Sequence, residues 1–118
     1  MRATLVSYGA GIDGGRPPAD EYLDVRAIRN PWSNRALRGS NGLDPKVQAY
    51  IENDQNTLKV MALARLSLRE NVTIAFGCYG GKHRSVAVVE MLADALRKEG
   101  WRIETRHTQL VDYNLVHA

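Results

Sequence analysis

Cysteine and long apolar runs are scarce in this sequence. Cys78 is its one cysteine, which excludes an internal disulfide and a multi-cysteine zinc site and favours a reducing compartment. The first apolar stretch is too short for a signal peptide, and no later stretch approaches the length of a membrane-spanning helix. These absences predict a small cytoplasmic domain that does not contact a membrane.

Repeats, low-complexity tracts and a linker between domains are also missing. A chain of 118 residues has the length of one domain, so we expect a single domain over residues 1–118. A composition that is 44% hydrophobic and 25% charged excludes intrinsic disorder. The net charge of +3 is spread over both halves without a basic arm, so it favours an anionic ligand only weakly.

Hydrophobic patterning predicts both strands and helices. Short apolar or alternating runs predict strands. Apolar residues at helical spacing predict helices, the first of which begins at the Asp44-Pro45 cap. The second ends near Arg69, and the last stops at Gly100. From residue 72 onward, strand, loop, helix and strand form a βαβ unit, so we expect a single-domain α/β fold with a mostly parallel sheet of about four strands and flanking helices. The predicted strands span residues 3–8, 22–28, 72–76 and 102–107, and the last helix spans residues 86–99.

Two further segments lack a regular period. Residues 11–20 contain three glycines and two prolines, which is typical of a loop. Residues 29–43 contain Pro31, Gly39 and Gly42. Long ordered loops in compact domains are often functional, so we expect this second loop to contribute to a site.

The turn between the third strand and the last helix carries the chemistry. A helix N-terminus leaves backbone N–H groups unpaired and adds partial positive charge, so it attracts anions. Gly80 and Gly81 permit successive amides to turn inward. Lys82, His83 and Arg84 add charge, and a guanidinium can hold two phosphate oxygens. We predict a phosphate-binding strand-loop-helix; the alternative is a tight connection whose basic residues face water.

This turn is not a nucleotide-kinase phosphate loop. Phe76 stands where that motif has its first glycine, and His83 stands where it has Ser or Thr.

A second interpretation of the turn is enzymatic. Cys78, Arg84 and Ser85 match the Cys-x5-Arg-Ser spacing of cysteine-dependent phosphatases, in which a thiolate attacks and an arginine holds the phosphoryl group. Such an enzyme also needs a general acid, and the candidates lack a spacing argument. The favoured alternative is a buried, inert Cys78, so no catalytic residue is preferred. The candidate acids are Asp24, Asp44 and Asp112.

Four sets of motifs, taken together and in order, resemble the C-terminal domain of the RapZ family of bacterial adapter proteins. They are DVR at 24–26 with NP at 30–31, LR at 37–38 with GLD at 42–44, GC-x-GGKHRSV at 77–86, and RH at 106–107.

The resemblance implies an α/β domain whose GGKHRS loop binds the phosphate of glucosamine 6-phosphate, with the segments around Asp24 and Arg38 lining the pocket. It also implies homo-oligomerisation, and binding of RNA and a ribonuclease in the full-length protein. The family's nucleotide-binding N-terminal domain has no counterpart in this sequence, so ATP or GTP binding is not expected from the family name. No cofactor is implied.

Several positions depart from the family pattern. Trp32 replaces a histidine, and Tyr79 replaces a threonine. Residues 10–14 replace a Phe-Lys-His-Gly segment, and the basic C-terminal tail is missing. Flat aromatic faces suit stacking on a nucleobase or sugar ring; the alternative is that both side chains pack against the loop. The expected ligand is therefore a phosphorylated metabolite, either an amino-sugar phosphate or a nucleotide.

Further charged residues have two interpretations each. Arg26 and Arg38 are expected to neutralise the phosphate, whereas Arg29 and Arg35 are expected to face solvent. Asp24 either orients Arg26 or accepts a hydrogen bond from a ligand hydroxyl. The remaining basic residues form either an RNA-facing surface or a solvated one. These residues are Arg65, Arg69, Arg97, Lys98, Arg102 and Arg106.

Two histidines are candidates for a pair at the pocket. They are His83 and His107. A pair without a third ligand is a weak zinc site, so no metal is expected.

Overall fold

A parallel four-stranded sheet forms the centre of the computed structural model, which describes residues 1–11 and 16–110. The strand order is β2-β3-β1-β4, and every neighbouring pair is parallel. The α/β prediction is thus confirmed. The strands are β1 (Arg2–Gly9), β2 (Glu21–Asp24), β3 (Val72–Cys78) and β4 (Arg102–His107).

Three α-helices and one short 3-10 helix complete the described part of the chain. Three of these four helices begin at a side-chain cap: Asn30 accepts from the Trp32 amide, Asp44 from Lys46, and Asp54 from Asn56. The Asp44-Pro45 start was predicted from the sequence. The helices are α1 (Pro45–Ile51), α2 (Gln55–Leu66), α3 (Arg84–Lys98) and the 3-10 helix Pro31–Ser33.

The main hydrophobic core lies between the helices and one face of the sheet. Leu5, Ile74 and Phe76 face it from the strands, and Leu92 and Leu96 face it from α3; all five are fully buried. The other face carries a smaller cluster of Val6, Tyr8 and Ala75, against which Ala19 and Tyr22 pack. Among the described residues, no helix has the length and apolar character that crossing a membrane requires.

The second strand is shorter than predicted. β2 ends at Asp24, whereas the alternating pattern predicted a strand to residue 28. Val25 and Ile28 are buried, but they lie in a turn that is closed by an N–H···O bond from Ile28 to Val25 over 3.2 Å. The alternating pattern breaks at Ala27, which is exposed, and the buried Ile28 lies three positions after Val25, a spacing that fits a turn and not one face of a strand.

Other boundaries shift by a few residues. β3 continues to Cys78, and α3 begins at Arg84 rather than 86. α2 ends at Leu66, before the predicted end near Arg69, whereas β4 has the predicted bounds. The loop between β3 and α3 is therefore only five residues long, which holds its side chains close to the sheet edge.

Candidate functional site

Most of the predicted site residues lie where β1, β2 and β3 end. Gly9 pairs with Cys78, and Asp24 pairs with Gly77, so three carboxyl ends meet at one edge of the sheet. Two cavities open there. The first, of about 320 Å³, is called the loop cavity, and the second, of about 360 Å³, is called the strand-end cavity. The loop cavity is lined by Asn30, Trp32 and residues 78–84. The strand-end cavity is lined by Tyr8, Ala10, Arg16, Tyr22, Leu23, Asp24, Arg26 and Gly77.

The two loop glycines have different roles. Gly81 has φ +73°, and a Cβ there would lie 2.6 Å from the Gly9 nitrogen, so this position requires glycine. The Gly81 amide donates to the Cys78 Sγ over 3.2 Å. A Cβ at Gly80 would meet no described atom within 4 Å, and its φ is not positive.

The N-terminus of α3 opens into the loop cavity. His83 occupies its N-cap position, and within the described ranges no side chain caps this helix. The other helices carry Asn or Asp caps, so α3 presents its partial positive charge differently. The exposed Lys82 adds a full charge at the same place.

His83 lines the loop cavity, and one of its ring nitrogens is buried and unpaired among the described residues. Its Nε2 is buried and has no hydrogen-bond partner in the part of the chain that the structure describes. Burial lowers the pKa of His83 from its ordinary 6.5, a hydrogen bond to the Ser40 backbone raises it, and the charges of Arg84 and Lys82 lower it further. The imidazole is therefore neutral at pH 7, and a bound anion would favour its protonation.

Arg84 lines the cavity, yet it also fastens the turn after β2. It is 8% exposed, and its Nη1 donates to the carbonyl oxygens of Arg26 (2.7 Å) and Ile28 (3.2 Å). The same side chain therefore ties the predicted phosphate loop to the segment that carries Arg26.

The sulfur of Cys78 is enclosed behind the loop. Cys78 is 2% exposed, and its Sγ lies 3.1 Å from the Ser85 Oγ. Ser85 is fully buried, and it is not among the residues that line the cavity. The predicted phosphate contact of Ser85 is thus replaced in this structure by a contact with the sulfur.

Two exposed aromatic side chains stand on the cavity wall. Trp32 is 54% exposed, and its ring lies 6.5 Å from the His83 ring, centroid to centroid. Tyr79 is 64% exposed and packs against Gly11, where a Cβ would come within 2.6 Å of the phenol ring. The Arg38 guanidinium lies 5.1 Å from the Trp32 ring centroid. We call Trp32 and Tyr79 the aromatic wall of the cavity. Arg38 contacts this wall and does not line the cavity itself.

Asp24 and Arg26 belong to the strand-end cavity. They form a two-pronged ion pair, with Nη2 to Oδ2 at 2.8 Å and Nε to Oδ1 at 3.0 Å. The hydrogen bonds from Arg26 lower the pKa of Asp24. This ion pair matches the interpretation in which Asp24 orients Arg26. In the same cavity the Arg16 guanidinium lies 4.4 Å from the Tyr22 ring centroid.

His107 lies away from both cavities. It is fully buried; its Nδ1 is 2.6 Å from the Ser7 Oγ, and its Nε2 is 3.0 Å from the Glu90 carboxylate. The two histidines predicted as a candidate pair, His83 and His107, thus have different surroundings. Within the described residues, no three His, Cys, Asp or Glu side chains are grouped as a metal site requires.

The two candidate general acids that the structure describes, Asp24 and Asp44, both have a lowered pKa. Hydrogen bonds from the Lys46 amide and from Ser40 lower the pKa of Asp44, which caps α1. Asp24 is held ionised by Arg26. Asp112 lies outside the described residues, as do residues 12–14 and the C-terminal residues that depart from the family pattern.

Most of the outlying basic residues are already bonded within the chain. Arg65 forms a bidentate pair with Glu99, and the Arg97 guanidinium donates to the Ile103 carbonyl oxygen. Arg29, predicted to face solvent, lies 4.2 Å from the Tyr50 ring centroid. The other ion pairs are Arg69 with Glu21, Lys98 with Asp94, and Arg106 with Glu104.

Three residues that the sequence did not assign to the site contribute to it in the structure. Asn30 lines the loop cavity. Gly42 holds the loop in place: its amide donates to the Lys82 carbonyl oxygen over 2.7 Å, and a Cβ would lie 2.5 Å from the His83 oxygen. Tyr8 covers Gly77 in the same way. No local pattern marks these contacts, because they join residues far apart in the sequence.

Comparison with known protein families identifies the family of this chain. A sequence model of the RapZ C-terminal domain matches residues 1–111. The chain belongs to this family. Among its relatives, a nucleotide-binding protein of Acidiphilium cryptum is 42% identical over 122 residues, covering 93% of this chain and 40% of that protein. A nucleotide-binding protein of Dinoroseobacter shibae is 38% identical over 115 residues, covering 88% of this chain and 37% of that protein. The chain thus spans about two-fifths of the length of these relatives.

Membership of the RapZ C-terminal family confirms the resemblance. It also allows the aromatic residues of the loop cavity to be compared with the family pattern. The glycine-rich loop lines the loop cavity, and so do Trp32 and Tyr79, the two aromatic residues that depart from the family pattern. Ala10, from another departing segment, lines the strand-end cavity.

Proposed function

We propose that this domain is a sensor that binds a phosphorylated small metabolite in the loop cavity. The observation that carries the proposal is the buried, unpartnered Nε2 of His83 at a helix N-terminus that no described side chain caps. Buried polar atoms are almost always paired in folded proteins, so an unpaired one on a residue that lines a cavity favours a bound hydrogen-bonding group. The positive charge around it favours an anion.

The lining residues have two roles: some bind the phosphate, and the others shape the rest of the cavity. His83 and Lys82 bind the phosphate, and the α3 N-terminus adds its dipole. Arg84 contributes positive charge at the back of the cavity while its Nη1 holds the turn at residues 26–28. Trp32 and Tyr79 bound the end of the cavity that receives the remainder of the ligand.

The relatives lend support of a general kind. The proteins from Acidiphilium cryptum and Dinoroseobacter shibae are named nucleotide-binding proteins, and a nucleotide is a phosphorylated ligand. Because the chain covers about two-fifths of each, that name describes a longer protein, and we extend from it only the preference for phosphorylated compounds.

The proposal is tested by calorimetric titration with glucosamine 6-phosphate, glucose 6-phosphate, AMP and inorganic phosphate. We expect at least one of the four to bind and to raise the melting temperature. Lys82→Ala should weaken that binding about tenfold, since a charge-assisted hydrogen bond is lost. Lys98→Ala, at the opposite end of α3, is the matched control and should leave the affinity unchanged. Silence for all four ligands contradicts the proposal.

A second candidate function is phosphatase activity, and the surroundings of the Cys78 sulfur favour it. The Gly81 amide donates to Sγ over 3.2 Å, and the Ser85 Oγ lies 3.1 Å from it, so polar groups position the sulfur as a nucleophile requires. In this function the thiolate attacks phosphorus and expels an alcohol, and water then hydrolyses the phosphocysteine. A generic aryl phosphate should be turned over, and Cys78→Ser should abolish the turnover. A sensor instead keeps its ligand affinity in Cys78→Ser.

We also propose that the domain forms homo-oligomers, as the family resemblance implies. Helix α2 exposes Leu58 (56%), Leu63 (45%) and Leu66 (84%), and exposed apolar groups of this kind mark protein contacts. Light scattering should report an oligomer for the native chain and a monomer for a Leu58→Lys, Leu66→Lys variant. A native monomer at high concentration contradicts this proposal.

A further inference from the structure

The most exposed large side chains near the site are aromatic, and both stand on the wall of the loop cavity. Trp32 is 54% exposed and Tyr79 is 64% exposed, whereas Phe76 in the strand that leads into the loop is fully buried. Exposing a large apolar surface has a free-energy cost that burial against a ligand would remove. The exposed rings therefore offer an apolar surface that a flat ligand can cover.

The backbone of both aromatic residues is anchored by hydrogen bonds, and each ring has a neighbouring group that packs against it. The Asn30 side chain accepts from the Trp32 amide over 3.1 Å, and the Arg38 Nε donates to the Trp32 carbonyl oxygen over 2.9 Å. The Tyr79 carbonyl oxygen accepts from the Gly11 amide over 3.0 Å, and the Tyr79 ring packs against Gly11. A packed aromatic face loses little conformational entropy when a flat ligand stacks on it.

The charges that line the cavity disfavour an amino sugar. Among the described residues, the lining includes Lys82 and Arg84 but no carboxylate. The nearest candidate acceptor, Asp24, lines the other cavity and is already paired with Arg26. An ammonium group in the loop cavity would therefore lie among cations without a partner, which is unfavourable.

Few side-chain hydrogen-bonding groups line the described cavity beyond the phosphate-binding residues. They are the Asn30 amide, the Tyr79 hydroxyl and the Trp32 indole N–H. Because the Asn30 Oδ1 is used by the Trp32 amide, its Nδ2 group is the part that can donate to an acceptor on a base edge. One flat face with one amide beside it matches a nucleobase better than a ring of hydroxyls.

Size and distance limit the ligand to a single nucleotide. The cavity volume is about 320 Å³, at the small end of ligand pockets, which span roughly 300–1,000 Å³. The Trp32 and His83 rings are 6.5 Å apart, so the phosphate-binding and stacking groups are close neighbours. In a mononucleotide one sugar unit separates the phosphate from the base, and this short separation matches the distance between the two groups of residues.

From these contacts we infer that the loop cavity takes a purine nucleoside 5′-monophosphate, with its phosphate at His83 and Lys82 and its base stacked on Trp32. A purine is favoured because its two fused rings match the bicyclic indole. The inference rests on the proposed function and specifies the class of its ligand.

The test uses the two tryptophans of the chain, Trp32 and Trp101. Trp101 packs against the main core just before β4, so a Trp101→Phe variant retains Trp32 as its one tryptophan, whose fluorescence is excited selectively at long wavelength. AMP should quench this fluorescence, whereas ribose 5-phosphate should bind without quenching it. Calorimetry on the native chain should show AMP binding roughly 5- to 150-fold more tightly than ribose 5-phosphate, the gain expected from stacking one base.

Trp32→Ala separates the base from the phosphate. We expect this variant to bind AMP no more tightly than ribose 5-phosphate, with the affinity for ribose 5-phosphate unchanged. Trp101→Phe is the matched control and should keep the full preference for AMP. Glucosamine 6-phosphate should bind less tightly than AMP to the native chain.

The outcomes distinguish this inference from the proposed function. If AMP and ribose 5-phosphate bind equally well and Lys82→Ala weakens both, the phosphate site stands and the stacking inference is overturned. Tighter binding of glucosamine 6-phosphate than of AMP overturns it as well. If no phosphorylated compound binds, the proposed function fails together with the inference.

Discussion

The guanidinium of Arg38 lies 5.1 Å from the centroid of the Trp32 ring, and its Nε donates to the Trp32 carbonyl oxygen over 2.9 Å. Sequence reasoning assigned this arginine to the phosphate. The structure instead places it against the aromatic wall, where it positions the indole. Arg38 thereby influences the ligand through Trp32.

This arrangement predicts a selective effect of Arg38→Ala. Loss of the cation–π contact, worth about 0.5–1 kcal/mol at an exposed position, should reduce AMP affinity about two- to five-fold. Affinity for inorganic phosphate should stay the same, because Arg38 does not line the cavity. Calorimetry compares both ligands, with Arg35→Ala in the same loop as control. An equal loss for inorganic phosphate would show that Arg38 neutralises the anion after all.

The glycines of the loop predict a contrast in stability. Gly81→Ala places a Cβ at positive φ and 2.6 Å from the Gly9 nitrogen, so it should lower the free energy of unfolding by about 1–3 kcal/mol. Gly80→Ala meets no described atom and should change it by less than about 0.5 kcal/mol. Urea unfolding measures both. Equal losses would mean that the loop conformation is not the one described.

Arg84 is predicted to stabilise the fold without any ligand. Arg84→Met removes the two bonds from Nη1 to the Arg26 and Ile28 carbonyl oxygens, leaving acceptors that are partly buried. We expect a loss of about 1.5–3 kcal/mol in the free energy of unfolding. The control is Arg35→Met, which replaces an exposed arginine in the loop of residues 29–43. Unchanged stability would leave Arg84 with ligand binding as its main role.

His83 predicts a pH dependence with a definite sign. Burial lowers its pKa in the folded protein, so the unfolded chain binds more protons as the pH falls below about 6.5. The ligand-free protein should therefore lose stability as the pH falls from 6.5 through the lowered pKa, and no such penalty exists above 6.5. His83→Gln removes this slope. A native slope identical to that of His83→Gln contradicts the neutral, buried imidazole.

Ligand affinity should respond to pH in the opposite sense. A bound phosphate favours the protonated imidazole, so binding takes up a proton and strengthens as the pH falls below 6.5. The phosphate group titrates near pH 6 as well. The ratio of native to His83→Gln affinity cancels that contribution. A ratio that does not rise between pH 7.5 and 5.5 would place the phosphate away from His83.

Local sequence signals were enough for much of the fold. The Asp44-Pro45 pair marks the start of α1 because a cap and a proline at the first helical position act within one turn. Residues 102–107 gave the bounds of β4, since alternate burial follows the strand period. The predicted β2 was too long because hydrogen bonds from Arg84 to the Arg26 and Ile28 carbonyl oxygens hold residues 26–28 in a turn. Contacts between residues so far apart in the chain are not visible in the local sequence.

The site was predictable in part. The glycine-rich loop and its basic residues follow from a local argument about a helix N-terminus, and residues 78–84 do line one cavity. The assignment of Arg26 and Arg38 to the phosphate relied on their charge and on the family resemblance, and neither specifies the partner that a side chain takes. Arg26 pairs with Asp24, and Arg38 stacks on Trp32. The role of Gly42 depends on its contact with the loop, which local sequence does not reveal.

The most direct test of the central claim is a titration of the 15N-labelled domain with AMP, followed by amide and indole chemical shifts. The account predicts saturable shifts at residues 79–85 and at the Trp32 indole, with the Trp101 indole unchanged. Residues of the strand-end cavity such as Asp24 should move little. Shifts centred on Asp24 and Arg26, or none at saturating AMP and inorganic phosphate, would contradict binding in the loop cavity.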